Sequence, residues 1–479
     1  MKVIFIYPNI VNFARQQGLY HMGIGYLSSV LKRDGHKVSL LNIYKKIDRE
    51  MLIENVITQK PDLIAFSATS HMFPFVKQFC TWLLGEGLKF RSICGGVHAT
   101  LAPQEVLETE GIDMVCIGEG ELALTELCGR LERGKDISDL KNIWIKTNGD
   151  IKKNPIAPLL EDLDSLPFPD REIFYLHELV HESSGRLPML ASRGCPYNCT
   201  YCCNHALKSI YPNKGRFTRY RSVENVVYEI KEVLSRYPIF KSVLFHDDIL
   251  FLNKIWSRNF INLYKQEVGI PFSCNIRPEI VDEEIASLLK EGGCFRICIG
   301  IESGNDHMRQ QILRRRISTE QIRRASLLCR SKGIEVYTFN IVGIPFEKPR
   351  DILETIKLNS EISSDSFQVS IFYPYRGTEL FNISEREGFL TDRRVDDYLT
   401  DSMLHLNTLY RSQVLMFRRY FVLFVRLYSV IGRLPKDYCN ISTAILDYFL
   451  TKPIVATFLN VAYTLMKIIY RRFLQNSFL

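Results

Sequence analysis

Cys195-Pro196-Tyr197-Asn198-Cys199-Thr200-Tyr201-Cys202 is the stretch on which the reading of this 479-residue chain turns. Three cysteines stand at spacings of four and three, directly after the apolar run Pro188-Met189-Leu190-Ala191. A short loop of this kind can bring three thiolates to one centre, and soft sulfur ligands select zinc or iron–sulfur clusters. A structural zinc site closes with four ligands, so Cys203 or His205 would have to supply the last one. A cluster held by three thiolates instead keeps one iron open to an outside ligand. Spacing alone leaves both readings open.

Downstream of the loop, short apolar runs alternate with helical patterns. Ser242-Val243-Leu244-Phe245 ends in His246-Asp247-Asp248, and Phe272-Ser273-Cys274-Asn275 runs into Ile276-Arg277-Pro278. The run over 295–300 ends in Ile301-Glu302-Ser303-Gly304, that over 335–341 in Val342-Gly343-Ile344-Pro345, and that over 368–372 in Tyr373-Pro374-Tyr375-Arg376-Gly377-Thr378. With a strand over 189–191 these make six βα units. Polar residues gather at the strand ends, where barrels place their chemistry.

Upstream, apolar strands over 3–7, 38–42, 63–66, 92–94 and 114–117 alternate with helices over 25–33, 47–58 and 75–84. This order predicts a parallel, doubly wound sheet with a ligand crevice beyond the carboxyl ends of its strands. The loops there suit a ligand. Ser67-Ala68-Thr69-Ser70 offers hydroxyls, Gly95-Gly96-Val97-His98 permits close backbone approach, and Gly118-Glu119-Gly120-Glu121 follows the last strand. A connector over 143–187 carries a hairpin signal at Asn148-Gly149-Asp150 and the turn-rich Leu163-Asp164-Ser165-Leu166-Pro167-Phe168-Pro169-Asp170-Arg171.

Composition sets the outer limits. Hydrophobic residues make up 46% and charged residues 24%, as in a globular protein with room for two or three cores. The thirteen cysteines mostly stand singly in apolar runs (Cys80, Cys94, Cys116, Cys298, Cys329), which argues for a reducing compartment and against a disulfide framework. The first apolar run is too short for a signal peptide, and the expected location is cytoplasmic. The net charge is +8, and residues 411–479, with ten Lys/Arg and two Asp/Glu, account for the same +8. A basic excess confined to an apolar, aromatic tail points to a membrane surface or an acidic partner rather than to nucleic acid, for which no reading motif is present. The longest uncharged stretch, Pro453–Met466, is too short to span a bilayer. Helices beyond about residue 395 are expected to cap the barrel, with a basic amphipathic layer on a membrane as the rival.

The cysteine loop, with Tyr201 before its last cysteine, resembles the C-x3-C-x2-C loop of radical S-adenosylmethionine (SAM) enzymes. The serine-rich, Gly-Gly-x-His and Gly-Glu-Gly loops, in that order, resemble the cobalamin-binding domain joined to many of them. The resemblance covers roughly residues 1–390 and is to the class B enzymes, with a likeness also to the anaerobic magnesium-protoporphyrin cyclases. It implies an α/β fold with a Rossmann-like cobalamin domain over 1–142, a linker over 143–187, a partial (β/α)6 radical SAM barrel over 188–394 and a helical region over 395–479. It further implies a [4Fe–4S] cluster on Cys195, Cys199 and Cys202, SAM chelated at the open iron, and Cys203 as a loop thiol.

For SAM, the resemblance implies contacts from Tyr201 and Glu302, a cation at Arg315 with Arg316 as competitor, and Asp247 and Asp248 facing SAM or substrate. Gly343 would admit backbone to the adenine. Ser67, Thr69, Ser70, Gly95, Gly96, His98, Gly118, Glu119 and Gly120 would face the corrin and its nucleotide tail. One departure stands out. The Asp-x-His-x-x-Gly of cobalamin domains is absent from Pro8-Asn9-Ile10-Val11-Asn12-Phe13, and His21 lacks that context. Cobalt would then have no protein imidazole beneath it and would release a methyl radical more readily.

The implied activity is reductive SAM cleavage followed by methylation of an unactivated carbon in a small-molecule, natural-product or lipid substrate, with electrons from a flavodoxin or ferredoxin. Oxidation, cyclisation or rearrangement without methyl transfer is the alternative, and a non-catalytic corrinoid and iron–sulfur sensor is the reading from another class.

Overall fold

The computed structural model describes every residue except 10–17, 46, 148, 180, 182–183, 394, 396–397 and 477–479, and the side chains of 467–476 are also left out. The sequence readings that involve residues 10–13 and 148 and the side chains of 467–474 therefore lie outside the described residues.

The first layer grows from β1 (Lys2–Tyr7), in which five consecutive residues from Val3 to Tyr7 are buried. A strand covered on both faces reads as an unbroken apolar run, which is why this one was legible without alternation. With β2 (Lys37–Asn42), β3 (Leu63–Ser67), β4 (Ser92–Gly95) and β5 (Met114–Cys116) it forms a parallel sheet of order β2-β1-β3-β4-β5. The strand order reverses at β1 and opens a crevice at the carboxyl ends. The hairpin expected in the linker is β6 (Ile143–Thr147) and β7 (Asp150–Lys152), and it belongs to this sheet. Ile143 and Ile145 bury their side chains in the first core, so residues 143–152 extend the sheet rather than link it to the next.

The second layer holds β8 (Arg186–Met189), a short pair β9 (Ser192–Arg193) and β10 (Arg219–Tyr220), then β11 (Ser242–Phe245), β12 (Phe272–Ile276), β13 (Cys294–Glu302), β14 (Glu335–Val342) and β15 (Ser366–Ile371). Six of these form a parallel half-barrel of order β15-β14-β13-β12-β11-β8. Its first strand ends at Met189, before the predicted 189–191. The fully buried Asp247 accepts the Ala191 N–H at 3.1 Å and the Ser192 hydroxyl, which turns the chain off the β8 line into β9. Asp247 is thus committed to the fold, and burial, partly offset by those hydrogen bonds, pushes its carboxyl up to about 6.

Helices expected from residue 395 begin at Arg411, and Arg411–Ile431, Lys436–Leu450 and Pro453–Asn476 follow one another. The first packs Phe417, Phe421 and Phe424 into a core shared with β14, β15 and the helix Pro349–Glu361.

The connector is stapled to both layers. Asp170 accepts from Ser28 at 2.6 Å and from Lys32 at 2.5 Å on the first domain. Arg171 reaches into the half-barrel, donating to the Pro188 carbonyl at 2.9 Å and to Glu229 at 3.1 Å, while Arg221 meets the other Glu229 oxygen at 2.5 Å. All three charged side chains are buried, and removal of the shared carboxylate leaves two buried guanidinium groups uncompensated. Glu229→Ala is expected to cost about 3–5 kcal/mol, read as a lowered thermal-unfolding midpoint with cofactor binding retained below it.

Candidate active site

A cavity of about 460 Å³ lies where the carboxyl ends of the first sheet meet the mouth of the half-barrel. Ser67, Gly95, Gly96, Thr100, Gly118 and Glu119 line it from one side, and Gly194, Asn204, His246 and Asp248 from the other. Gly194 and Asn204 flank the cysteine loop, so one space touches both candidate cofactor sites.

The joint between the two sides is ionic. Glu119 accepts from Arg193 at 3.2 Å, from both terminal nitrogens of Arg219 at 2.7 and 3.0 Å, and from the Leu160 N–H at 3.2 Å. Arg193 also donates to Glu121 at 2.6 Å. The two arginines are register partners on β9 and β10, so that small ribbon presents a pair of guanidinium groups to the first domain. Burial works against the Glu119 charge, yet Arg219 and Arg193 outweigh it and hold the carboxyl below its usual range. Tyr211 adds its hydroxyl, which accepts from the Glu119 N–H at 3.1 Å, and a Cβ at Gly118 would collide with it. Gly118 is glycine for the approach of the partner domain.

The nine predicted corrin-facing residues divide. Ser67, Gly95, Gly96, Gly118, Glu119 and Gly120 line the cavity. Thr69, Ser70 and His98 are not in its lining: Thr69 bonds to the His71 ring at 3.1 Å, and Ser70 bonds to the His98 ring at 3.1 Å. His98 lies in the short helix Val97–Leu101, not in a loop, with its ring 4.4 Å from that of Phe73. Gly96, at φ +92°, is glycine because the Ala68 backbone passes against it. The cavity floor is apolar, formed in part by Phe5, Ala65, Ile93 and Leu124. A slot of small residues at its mouth and apolar ones at depth fits a bulky cofactor entered from the strand ends.

His21 does line the cavity, but its Nδ1 caps the helix Met22–Arg33 by accepting the Ile24 N–H at 3.0 Å. Burial lowers its pKa to about 4, so the ring is neutral and its proton sits on Nε2. That leaves no free lone pair for cobalt.

On the barrel side, Cys199 is buried while Cys195 and Cys202 are half-buried. Among the described residues no three His, Cys, Asp or Glu side chains converge on one ion-sized point. Three thiols within one short loop are the soft donor set that an iron–sulfur cluster takes. Burial pushes the Cys195 thiol up to about 11, so ligation must release a proton there. Cys203 begins the helix Cys203–Ser209 with its thiol against that of Cys202.

Beside the loop stands a cluster that spacing could not reveal as a unit. Glu302, at the end of β13 with φ +63°, curls back over Gly300, and the Tyr201 hydroxyl acts on its carboxyl. Arg315 is buried, donates to the Gly300 carbonyl at 2.9 Å and lies 3.5 Å from the Tyr201 hydroxyl. Burial raises the Glu302 pKa, and Arg315 and Tyr201 counter it. Arg316 faces solvent, and Arg314 pairs with Glu379, so Arg315 is the cation at this site. Asp248 faces the cavity with Asn204 bonded to it at 2.8 Å, and burial raises its pKa. Gly343 has φ +79°, and its missing side chain makes room for Val414 of the first C-terminal helix.

Arg277, at the end of β12, carried no sequence signal beyond its place in a strand-end loop. It stacks 3.6 Å over the Tyr197 ring, pairs with Glu279 at 2.5 Å and sets Nη1 3.9 Å from the Cys199 sulfur. The Cys199 sulfur therefore has a buried, positioned guanidinium as its neighbour.

Comparison with known proteins agrees with this geometry. The Radical SAM superfamily profile matches residues 189–358, and the B12 binding domain profile matches residues 8–128. An uncharacterized methyltransferase of Pyrococcus horikoshii is 26% identical over 397 residues, covering 82% of this chain and 84% of the relative. The anaerobic magnesium-protoporphyrin IX monomethyl ester cyclase of Rubrivivax gelatinosus is 23% identical over 405 residues, covering 80% and 69%. The solved structure of the cobalamin-dependent SAM radical enzyme OxsB, with aqua-cobalamin and SAM bound, shares the fold at a TM-score of 0.65 with 17% identity, covering 99% of this chain and 75% of that one. The cofactors are a [4Fe–4S] cluster, SAM and cobalamin. The chain is a B12-binding radical SAM enzyme, related to the class B methyltransferases and the anaerobic magnesium-protoporphyrin cyclases.

Proposed function

We propose that the enzyme methylates an unactivated carbon of a small-molecule substrate held between its two cofactors. One observation carries the reading: a single cavity touches Gly95 and Gly118 at the first sheet and Gly194 and Asn204 on either side of the cysteine loop. When bound, the cluster and SAM supply a hydrogen-abstracting radical and cobalamin supplies the methyl group. In this reading Cys195, Cys199 and Cys202 hold the cluster. Glu302, buried beside Arg315 and Tyr201, orients the polar groups of SAM, with Arg315 opposite the SAM carboxylate. Six glycine and polar residues at the strand ends, Ser67, Gly95, Gly96, Gly118, Glu119 and Gly120, receive the corrin. His246 and Asp248 face the remaining space and meet the substrate, and the closed joint at Glu119 keeps water out. A reductant is needed, and a flavodoxin or ferredoxin fills that part. Cyclisation without methyl transfer is the second reading, favoured by the likeness to the Rubrivivax cyclase.

The reaction class is tested by supplying the reduced enzyme with SAM, methylcobalamin and cell extract, then quantifying 5′-deoxyadenosine and S-adenosylhomocysteine together. One SAM for the radical and one for the methyl group should raise both products in about equal amounts. Deoxyadenosine alone would establish the cyclisation reading, and neither product from cluster-loaded protein would establish a sensor.

Five substitutions test the residue roles. Alanine at Cys195, Cys199 or Cys202 should each abolish the cluster's visible absorbance and SAM cleavage, whereas Cys203→Ala should retain both. Loss of the cluster in Cys203→Ala with retention in Cys202→Ala would reassign the ligands. At Gly300, an added Cβ would collide with Glu302 Oε1 and come within 2.8 Å of Arg315 Nη2. Gly300→Ala should therefore weaken SAM binding by roughly tenfold or more, about one lost charge-assisted hydrogen bond, with cluster absorbance unchanged. Equal affinity in equilibrium dialysis would remove Glu302 from the SAM site.

A further inference from the structure

The three C-terminal helices carry apolar side chains on two faces. Inward, Phe417, Phe421, Phe424 and Tyr428 of the first pack into the protein. Outward, the same helix shows Leu423, Leu427 and Val430, at steps of four and three. The second shows Tyr438, Ile441, Ile445 and Tyr448, at steps of three, four and three; the third shows Ile454, Phe458, Val461 and Leu465, at steps of four, three and four. These are continuous helical stripes, and Phe458 and Ile454 are 71% and 75% exposed. The solvent face of a surface helix is ordinarily polar, and single exposed apolar residues need no explanation, but stripes on three mutually packed helices mark a docking surface.

Charge says what covers it. Arg426, Arg433 and Lys436 are exposed around these stripes, and Lys452 sits 4.1 Å over the Tyr448 ring. Of the two acids in this region, Asp447 is taken by Lys357 at 2.5 Å and by the Tyr428 hydroxyl at 2.6 Å, leaving Asp437 as the exposed one. A second copy seated here would bring like charges together, whereas a layer of phosphates under an apolar interior complements both features. No single helix among the described residues is long and apolar enough to cross a membrane. The second helix and Pro453–Met466 pass that test only as a pair, bent by 77°. Such a pair suits one-sided insertion, with Tyr438 and Tyr448 at the depth that amphipathic rings prefer.

We propose that the outward face of these three helices docks on the surface of an anionic phospholipid bilayer, apolar stripes at the headgroup–acyl boundary and basic side chains at the lipid phosphates. The proposal stands apart from the assignment of the reaction, since none of these residues lines the cofactor cavity.

The test is flotation of the full-length, cofactor-loaded protein with vesicles of phosphatidylcholine, with and without phosphatidylglycerol. Binding is expected to the phosphatidylglycerol vesicles, at least tenfold weaker to phosphatidylcholine alone, and weakened by salt. Ile441→Asp with Phe458→Asp should lower partitioning tenfold or more. Arg433→Glu with Lys436→Glu, which leaves the stripes intact, should lower it by about fivefold or more for each position. Both variants should keep wild-type circular dichroism and SAM cleavage, because the changed side chains face outward. Absence of vesicle binding, or binding unchanged in both variants, would overturn the proposal. So would a dimer in sedimentation velocity without lipid that Ile441→Asp with Phe458→Asp dissociates, since a second copy would then own the face.

Discussion

The carboxylate of Glu119 between Arg193 and Arg219 is the constraint on which the rest of the molecule depends. Each of the two sheets has its own core, and the two cores share little apolar contact, chiefly at Leu176. A charge taken out of water must be matched in direction as well as in sign, because a misplaced partner leaves it uncompensated. Four hydrogen bonds to one carboxylate admit one relative placement of the strand ends. The cavity lies at that placement, with Glu119 in its wall. Apolar packing alone would tolerate sliding, whereas the ion pairs, with Tyr211 against Gly118, do not.

Within the barrel, the same logic operates on a smaller scale. Glu302 holds a left-handed backbone conformation that is unfavourable for a residue with a Cβ, at the register shift between β13 and β14. Strain of this kind persists where the surroundings over-determine it. Arg277 and Arg315 add positive charge beside the cysteine loop, suited to a site that must gather thiolates and an electron.

The C-terminal helices follow a different rule. Their inward faces complete the core around β14 and β15, and Val414 fills the space left by Gly343. Their outward faces repeat the apolar pattern where water would favour polar groups. Composition had already located the charge excess in this region, yet composition cannot distinguish a helix buried on both sides from one apolar on both sides and open on one.

Local signals were legible from the chain alone because their causes are local. The spacing of Cys195, Cys199 and Cys202 is a property of one loop, the unbroken run from Val3 to Tyr7 is the signature of a doubly covered strand, and alternation of strands with helices implies parallel sheets. The strand-end positions of Ser67, Gly95, Glu302 and Asp248 were legible for the same reason. What escaped depends on residues far apart in sequence. Glu119 and Arg219 are separated by 100 positions, Ala191 and Asp247 by 56. A glycine such as Gly118 or Gly343 announces only that a Cβ is unwelcome, not that Tyr211 or Val414 is the neighbour it admits. Ser70 and His98 read as ligand-facing from their loops, and nothing in the sequence signalled that they bond to each other. Periodicity and spacing determine elements and their order. Long-range packing decides which side chains face one another, because a buried polar group must find its partner wherever the folded chain brings one.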